Sequence, residues 1–386
     1  GRMTSPAHTL PALRLRTGNQ MIAEGAVEAG CRFFAGYPIT PASGIYKSMI
    51  ELLQERGDVA LSAPDEISAL AYCVGASIRG FRSMTATSGP GWALMIETFQ
   101  YALMTETPLV VAMVQRLGPS TGGATQGAQG DILLAEYCTS GGYTVPVLCP
   151  STPAECFELT IRAFDLAERL RTPVILLTDK EVGMTMERID YGALRRPAVA
   201  TRAGILPSGT GPNGSWKTYD FAHAYDVPAF EPVGGRQKVT VTGSAHNKSG
   251  ELKKNDSETL EVLHHLEEKI RHRKNEMVFV TRDEEPGADT LVISYGITAR
   301  AMRQAVRQAR LRGRKVSSLT IHSLFPIPFD EIRKAAAPVR TVVVAEENLN
   351  GQYRALIEAA IRNATVIGVN KIGTMITPAE IEATLG

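Results

Sequence analysis

Residues 81–116, FRSMTATSGPGWALMIETFQYALMTETPLVVAMVQR, place two short apolar runs on either side of a helical period. The first run, FRSMTATS at 81–88, breaks at Gly89-Pro90-Gly91. Apolar residues then recur at helical spacing over 92–104, and PLVVAMVQR at 108–116 follows as an almost unbroken apolar strand. A strand apolar on both faces is covered on both faces, and a helix between two such strands is the crossover that parallel pairing requires. The stretch reads as one β-α-β unit of a buried parallel sheet.

The same alternation extends outward. Upstream, helical periods over 18–30 and 45–56 alternate with apolar runs at 32–35 and 59–63, and a third helix begins at Glu66. Downstream come VPVLCP, a helix over 153–170 and TPVILLTD. This pattern predicts an α/β fold with a doubly wound parallel sheet, whose ligands bind beyond the carboxyl ends of the strands. The loops to watch are therefore GYPITPAS (36–43), APDE (63–66), TSGPGW (87–92) and QRLGPSTGGATQGAQGD (115–131).

After about residue 191 the text becomes polar, with the Gly/Pro-rich LPSGTGPNGSW and a charged helix over 258–273 whose Leu263, Leu266 and Ile270 mark a single apolar seam. His246, His264, His265 and His272 lack a metal spacing there and are expected to be solvated. A second α/β unit follows: DTLVISYG, a helix over 299–311, KVSSLTIHS, a helix over 329–336, RTVVVAEEN and a helix over 352–362. The expected division is 1–200, an interdomain segment 201–285, and a smaller domain 286–386; 386 residues exceed what one core usually organises.

The 41 basic and 40 acidic residues give no electrostatic reason to expect nucleic acid or an anionic membrane. Five cysteines, Cys31, Cys73, Cys138, Cys149 and Cys156, show no cluster spacing and read as reduced thiols of a cytoplasmic protein, with no iron–sulfur cluster in this chain. The sequence has no apolar run of eighteen residues and no signal peptide, and the leading Gly1-Arg2-Met3 reads as a cloning remnant.

Glu66 heads a helix of small and apolar residues. If Pro64 takes the first helical position, Glu66 takes the third, where a carboxylate serves the helix N-terminus. Against that plain reading, Ile67, Leu70, Val74 and Ile78 with the small Ala69, Ala71, Cys73, Gly75, Ala76 and Ser77 predict burial of most of the circumference. A carboxylate entering such surroundings must be paired or share a proton with a ligand. TSGPG invites a phosphate-loop reading, but no lysine follows and Pro90 removes a donor, so a packing turn is favoured. In GYPITP two prolines stiffen the loop around Thr40, and Arg116 ends a strand where its guanidinium clamps a carboxylate or joins a salt bridge.

AGYPITPAS, DEISA, TATSGPGWALM and VQRLGPSTGGAT, with VISYGITAR and EENLNGQ in the second unit, resemble the alpha subunit of 2-oxoacid:ferredoxin oxidoreductases, nearest the 2-oxoglutarate type. The resemblance runs over nearly the whole chain in the family's order. It implies a thiamine diphosphate enzyme in which this subunit supplies the pyrimidine-binding domain, followed by a transketolase C-terminal-like domain. The diphosphate, its Mg²⁺ and a [4Fe-4S] cluster are then expected in a separate beta subunit. In keeping with this, the chain has no G-D-G motif followed by paired asparagines. By the same matching Glu66 hydrogen-bonds N1′ of the cofactor's aminopyrimidine, so that the ring can remove the thiazolium C2 proton. Thr40 and Arg116 meet the substrate carboxylate, and Pro38 and Ser88 line the cofactor.

The implied partners are the beta subunit, ferredoxin, a 2-oxoacid and coenzyme A, in a heterotetramer or larger assembly. Relatives of the 2-oxoglutarate type usually continue GPSTG with Leu-Pro-Thr, whereas this chain has Gly123-Ala124-Thr125 and then Gln126, Gly127, Ala128 and Gln129. That loop is expected to reach the substrate side chain, which keeps 2-oxoisovalerate and other 2-oxoacids open. Two rivals stand beside this reading: a two-subunit thiamine-dependent decarboxylase or transketolase-like enzyme without ferredoxin, and a scaffold that keeps only the fold.

Overall fold

The computed structural model describes residues 12–202 and 216–386; most of LPSGTGPNGSW lies outside the described residues. In chain order the first unit comprises β1 (Leu13–Thr17), α1 (Gly18–Glu28), β2 (Phe33–Gly36), α2 (Ser43–Glu55), β3 (Val59–Ser62), α3 (Glu66–Ile78) and β4 (Ser83–Thr87). It continues with α4 (Gly89–Met104), β5 (Leu109–Gln115), α5 (Ile132–Glu136), β6 (Val147–Leu148), α6 (Pro153–Leu170), β7 (Pro173–Asp179), α7 (Lys180–Met184) and β8 (Met186–Asp190). After α8 (Ser257–Arg271) come β9 (Val280–Asp283), β10 (Thr290–Ser294), α9 (Thr298–Leu311), β11 (Val316–Ile321) and β12 (Ser323–Phe325). The chain closes with α10 (Phe329–Ala336), β13 (Thr341–Glu346), α11 (Gln352–Ile357), β14 (Thr365–Asn370) and α12 (Pro378–Glu382).

Seven strands form the first sheet in the order β12-β6-β7-β5-β4-β2-β3, parallel except where β12 meets β6. Five form the second, β14-β13-β10-β11-β9, with β9 antiparallel. The 81–116 stretch folds as its pattern requires: every residue of β4 and β5 is buried. Helices α1, α2 and α6 cover one face through Met21, Ile22, Ile45, Phe157 and Phe164. Gly25 lets α1 press on α6, because a Cβ there would fall 2.7 Å from the Phe157 carbonyl oxygen. On the other face, Leu70 of α3 and Trp92 and Phe99 of α4 join a core that runs on into Leu291, Ile293 and Tyr353 of the second unit.

From β2 the chain passes through α2 to the edge strand β3, then returns over β2 through α3 to reach β4. The loops leaving the adjacent strands β2 and β4 thus diverge to opposite faces. A crevice opens at their carboxyl ends, the switch point where doubly wound sheets bind ligands.

The structure corrects the reading of the interdomain histidines. His246 and His265 are fully buried, and three rings stack on histidines: Tyr219 on His246, Phe221 on His265 and Tyr225 on His272. Nor does α8 bury only an apolar seam, since Lys269 and His265 lie inside with Val262, Leu266 and Ile270. The reason is Glu106, which has a left-handed backbone at φ +49° and no exposure, and receives Lys269 Nζ and faces His265 Nε2, each at 2.7 Å. Arg171 is buried beside them, donating to the carbonyls of Glu106, Thr218, Pro228 and Ala229.

Burial alone would push the Glu106 carboxyl up, but His265, Lys269 and Arg171 hold it well below the usual carboxylate range. A depressed carboxyl contributes its stability above the unfolded value and loses it as pH falls. Glu106→Ala leaves Lys269 and Arg171 buried without a counter-charge, an expected cost of about 3–5 kcal/mol. Urea unfolding should show this as a lower midpoint at unchanged slope; an unmoved midpoint would mean that the cluster does not fasten α8 to the sheet.

Candidate active site

The loop after β2 is held at its tip from two sides. Asn19, buried in α1, donates through Nδ2 to the Pro41 carbonyl at 2.8 Å. Arg116, just past β5 and 7% exposed, donates from Nη1 to the Thr40 carbonyl at 2.8 Å and from Nη2 to the Thr121 carbonyl at 3.0 Å. The structure therefore brings Thr40 and Arg116 together, though through the backbone of Thr40. Its hydroxyl takes no hydrogen bond among the described residues, and it lines a cavity of 240 Å³ with Asn19, Gly44 and Gly183. Arg116 forms no salt bridge among the described residues, and its Nε is buried without a partner. Pro38 is exposed on the same loop.

Glu66 lies across the crevice as the first residue of α3 rather than the third. The cap is Asp65, whose carboxylate accepts from the Ser68 backbone N–H at 2.7 Å, so the N-terminal role expected of Glu66 is already filled. Glu66 is 8% exposed, and its carboxylate forms no hydrogen bond or ion pair among the described residues. Instead it rests on the first turn of α4. A Cβ at Gly91 would fall 2.8 Å from Glu66 Cγ and 3.1 Å from Oε1, as well as 2.1 Å from Thr87 Oγ1. On the same turn a Cβ at Gly89 would fall 2.9 Å from Asp131 Oδ1. The glycines of TSGPG thus admit two carboxyl groups against one helical turn.

Ser88 is the N-cap of α4 by position but makes no side-chain cap bond, and its Oγ is buried without a partner among the described residues. Gln115 Nε2 at the end of β5 is buried and unpaired as well. Buried polar atoms normally find partners, so orphans gathered at adjacent strand ends mark a place for a polar ligand. The α3 helix is less enclosed than its composition predicts: Ile67 and Tyr72 are exposed, and beside Gly75 the space is open. With Leu94 of α4 they form a half-exposed apolar face among the described residues.

Near its end the 115–131 loop is tied to the second unit through Gln129. Gln129 is fully buried and joins the two units: Nε2 donates to Asp179 Oδ2 and to the Tyr295 carbonyl, both at 3.1 Å, and Oε1 accepts from Thr298 Oγ1 at 3.1 Å and the Glu347 backbone at 3.0 Å. Among the residues expected to reach the substrate side chain, Gln129 is therefore committed elsewhere. Burial and the nearby Asp179 push the Glu347 carboxyl up to about 7. Sequence reasoning missed Asp131, Asp179 and Glu347 and expected Gln129 at the substrate side chain, because the partners of Gln129 stand up to 219 residues away and no local spacing betrays them.

The five cysteines are buried and free, with burial pushing the Cys73 thiol up to about 12. Among the described residues no group of three or more His, Cys, Asp or Glu is placed to hold a metal ion, and no helix is long and apolar enough to cross a membrane.

A doubly wound sheet with these groups at its switch point is a ligand-binding domain, and its class follows from the families it matches: "Pyruvate flavodoxin/ferredoxin oxidoreductase, thiamine diP-bdg" over residues 24–206 and "Pyruvate:ferredoxin oxidoreductase core domain II" over 288–381. The chain belongs to the 2-oxoacid:ferredoxin oxidoreductase family, as a subunit of the alpha type. It is 40% identical to the 2-oxoglutarate synthase subunit KorA of Methanothermobacter marburgensis, over 92% of this chain and 93% of that one. It is 32% identical to the ketoisovalerate oxidoreductase subunit VorB of Methanothermobacter thermautotrophicus, over 94% of each chain. A structure of the 2-oxoglutarate:ferredoxin oxidoreductase from Magnetococcus marinus, with 2-oxoglutarate, coenzyme A and succinyl-CoA bound, superposes with a TM-score of 0.90 at 29% identity. The match covers all of this chain and 66% of that one.

Proposed function

We propose that this chain is the alpha subunit of an enzyme interconverting 2-oxoglutarate, coenzyme A and oxidised ferredoxin with succinyl-CoA, CO₂ and reduced ferredoxin. The observation that carries the reading is Glu66: buried, relieved of capping by Asp65, and resting without a partner on the turn after β4. A carboxylate so placed fits the protonated ring nitrogen of an aminopyrimidine. Bound thiamine diphosphate supplies the nucleophilic carbon and the electron sink that decarboxylation needs. This chain's residues do the remaining work. Glu66 holds a proton at N1′, the unpaired Ser88 hydroxyl and exposed Pro38 flank the ring, and Thr40 and Arg116 fix the substrate carboxylate. The crevice between the β2 and β4 loops orients both.

The diphosphate, Mg²⁺ and a [4Fe-4S] cluster belong in this reading to a beta subunit, in a cytoplasmic heterotetramer or larger assembly. The uncovered face of Ile67, Tyr72 and Leu94 beside Glu66 suits such a subunit. The division into 1–200, 201–285 and 286–386 remains our proposal for the domains. The similarity to a ketoisovalerate oxidoreductase subunit and the departing GGATQGAQ loop favour 2-oxoisovalerate as the second substrate reading.

Co-expression with the beta subunit, followed by assay with each 2-oxoacid, coenzyme A and a viologen dye, decides between them. Faster dye reduction with 2-oxoglutarate is expected, and preference for 2-oxoisovalerate would select the second reading. The isolated chain, lacking the metal and diphosphate site, should bind thiamine diphosphate on the order of 100-fold more weakly than the complex. Calorimetry showing tight, Mg²⁺-dependent binding to this chain alone would contradict that.

A further inference from the structure

Asp131 has no part in the functional reading above, yet it packs against the same first turn of α4 as Glu66. Its backbone N–H donates to Gln115 Oε1 at 3.1 Å, and its carboxyl lies against Gly89, with Oδ2 buried and unpaired. The segment that carries it is fixed from the second unit. The Gln129 N–H donates to the Glu347 carbonyl at 2.7 Å, Asn348 Nδ2 to the Gln129 carbonyl at 2.9 Å and Gln352 Nε2 to the Gly130 carbonyl at 2.8 Å, while Gln352 Oε1 accepts from the Leu133 N–H at 3.1 Å. A surface acid capping a helix needs no such scaffold. Asp131 also gives α4 no cap bond, and it forms no salt bridge with Arg116, whose hydrogen bonds go to the carbonyls of Thr40 and Thr121. Arg116 Nε and Asp131 Oδ2 are thus an unused donor and an unused carboxyl oxygen at the same edge of the sheet.

We propose that Asp131 is a substrate-binding residue whose protonated carboxyl hydrogen-bonds the carboxylate of the 2-oxoacid held by Arg116, with the second α/β unit positioning it through Gln129. The inference rests on the assignment of Arg116 to that carboxylate. A carboxylate between a guanidinium and a neutral carboxyl accepts from both, whereas an ionised Asp131 would repel it. Burial pushes the Asp131 carboxyl up to about 6, partly offset by Arg116. An arriving anion favours the protonated form further. Substrate binding therefore takes up a proton, and affinity is highest below the free group's value and falls as pH rises through it.

The other charged groups around this position are Glu66 across the α4 turn, Glu136 on α5, Asp179 and Glu347 behind Gln129, and Lys180 paired with Glu181 on α7. Of these, Glu347 also sits near neutrality, pushed to about 7. It needs its own control.

The test is calorimetric titration of 2-oxoglutarate into the reconstituted complex loaded with an unreactive cofactor analogue, in buffers of differing ionisation heat. Close to one proton should be taken up per substrate near neutral pH, with affinity falling roughly 50-fold from about pH 6 to about pH 8. Asp131→Asn, which fixes the neutral form, should retain affinity while losing both the uptake and the pH dependence. Glu347→Gln should keep both. Wild-type binding without proton uptake overturns the proposal and needs no variant, and so does an Asp131→Asn complex that titrates like wild type. If the wild-type complex binds neither 2-oxoglutarate nor 2-oxoisovalerate, the functional reading fails, and the inference fails with it.

Discussion

Glu66→Gln in the reconstituted complex is expected to lower turnover by about 10²- to 10⁴-fold, the range for removing a positioned acid–base group. The amide is nearly isosteric and still hydrogen-bonds a ring nitrogen, so cofactor affinity should change little. What it cannot do is share a proton with that nitrogen. The structure sharpens the expectation for stability. Because Asp65 caps α3 and Glu66 makes no internal hydrogen bond among the described residues, the substitution has no fold contact to remove. The melting temperature should stay where it is, whereas Asp65→Ala should lower it and spare turnover. A Glu66→Gln complex with a lowered melting point and normal turnover would return the residue to a structural role.

Arg116→Ala is expected to raise KM for the 2-oxoacid by roughly 10- to 1000-fold, about 1.5–4 kcal/mol for a lost charge-assisted pair. Its two carbonyl contacts make the prediction more specific. Arg116 joins the loop after β2 to the loop after β5, so the variant also frees the tip that carries Thr40, and kcat should fall with the rise in KM. Arg116→Lys keeps the charge but not the fork that spans both carbonyls, and should recover only part of the loss. An unchanged KM in Arg116→Ala would make the residue a loop tie alone.

Much of the fold was legible because parallel sheets write themselves plainly. Fully buried strands such as β5 and β7 are continuous apolar runs, and Pro153 after Thr152 announces α6. The short or half-exposed strands were not legible. β1, β8 and β14 alternate weakly, and β12 is three residues that leave their own unit to pair with β6 in the first sheet. Thr40, Ser88 and Arg116 were singled out because each lies in a loop after a strand, and the structure places all three at the carboxyl edge of the sheet. Glu66 was singled out by the contrast between one carboxylate and an apolar helix, although its helical position was displaced by two because Asp65, not Ala63, is the cap. Asp131 stayed hidden and Gln129 was read toward the wrong partner, since a glycine-rich loop carries no period and their meaning depends on contacts with the distant second unit. The buried histidines were misread for the same reason: a polar text looks solvated until the charge on Glu106 and the rings of Tyr219 and Phe221 are brought to it.

The central claim is that the Glu66 carboxylate acts on a bound aminopyrimidine, and exchange of the thiazolium C2 proton measures this before substrate, coenzyme A or ferredoxin is involved. Quenched-flow NMR on the reconstituted complex should show fast exchange in the wild type. With Glu66→Gln it should slow by about the same 10²- to 10⁴-fold as turnover. Wild-type exchange rates in the Glu66→Gln complex would contradict the account.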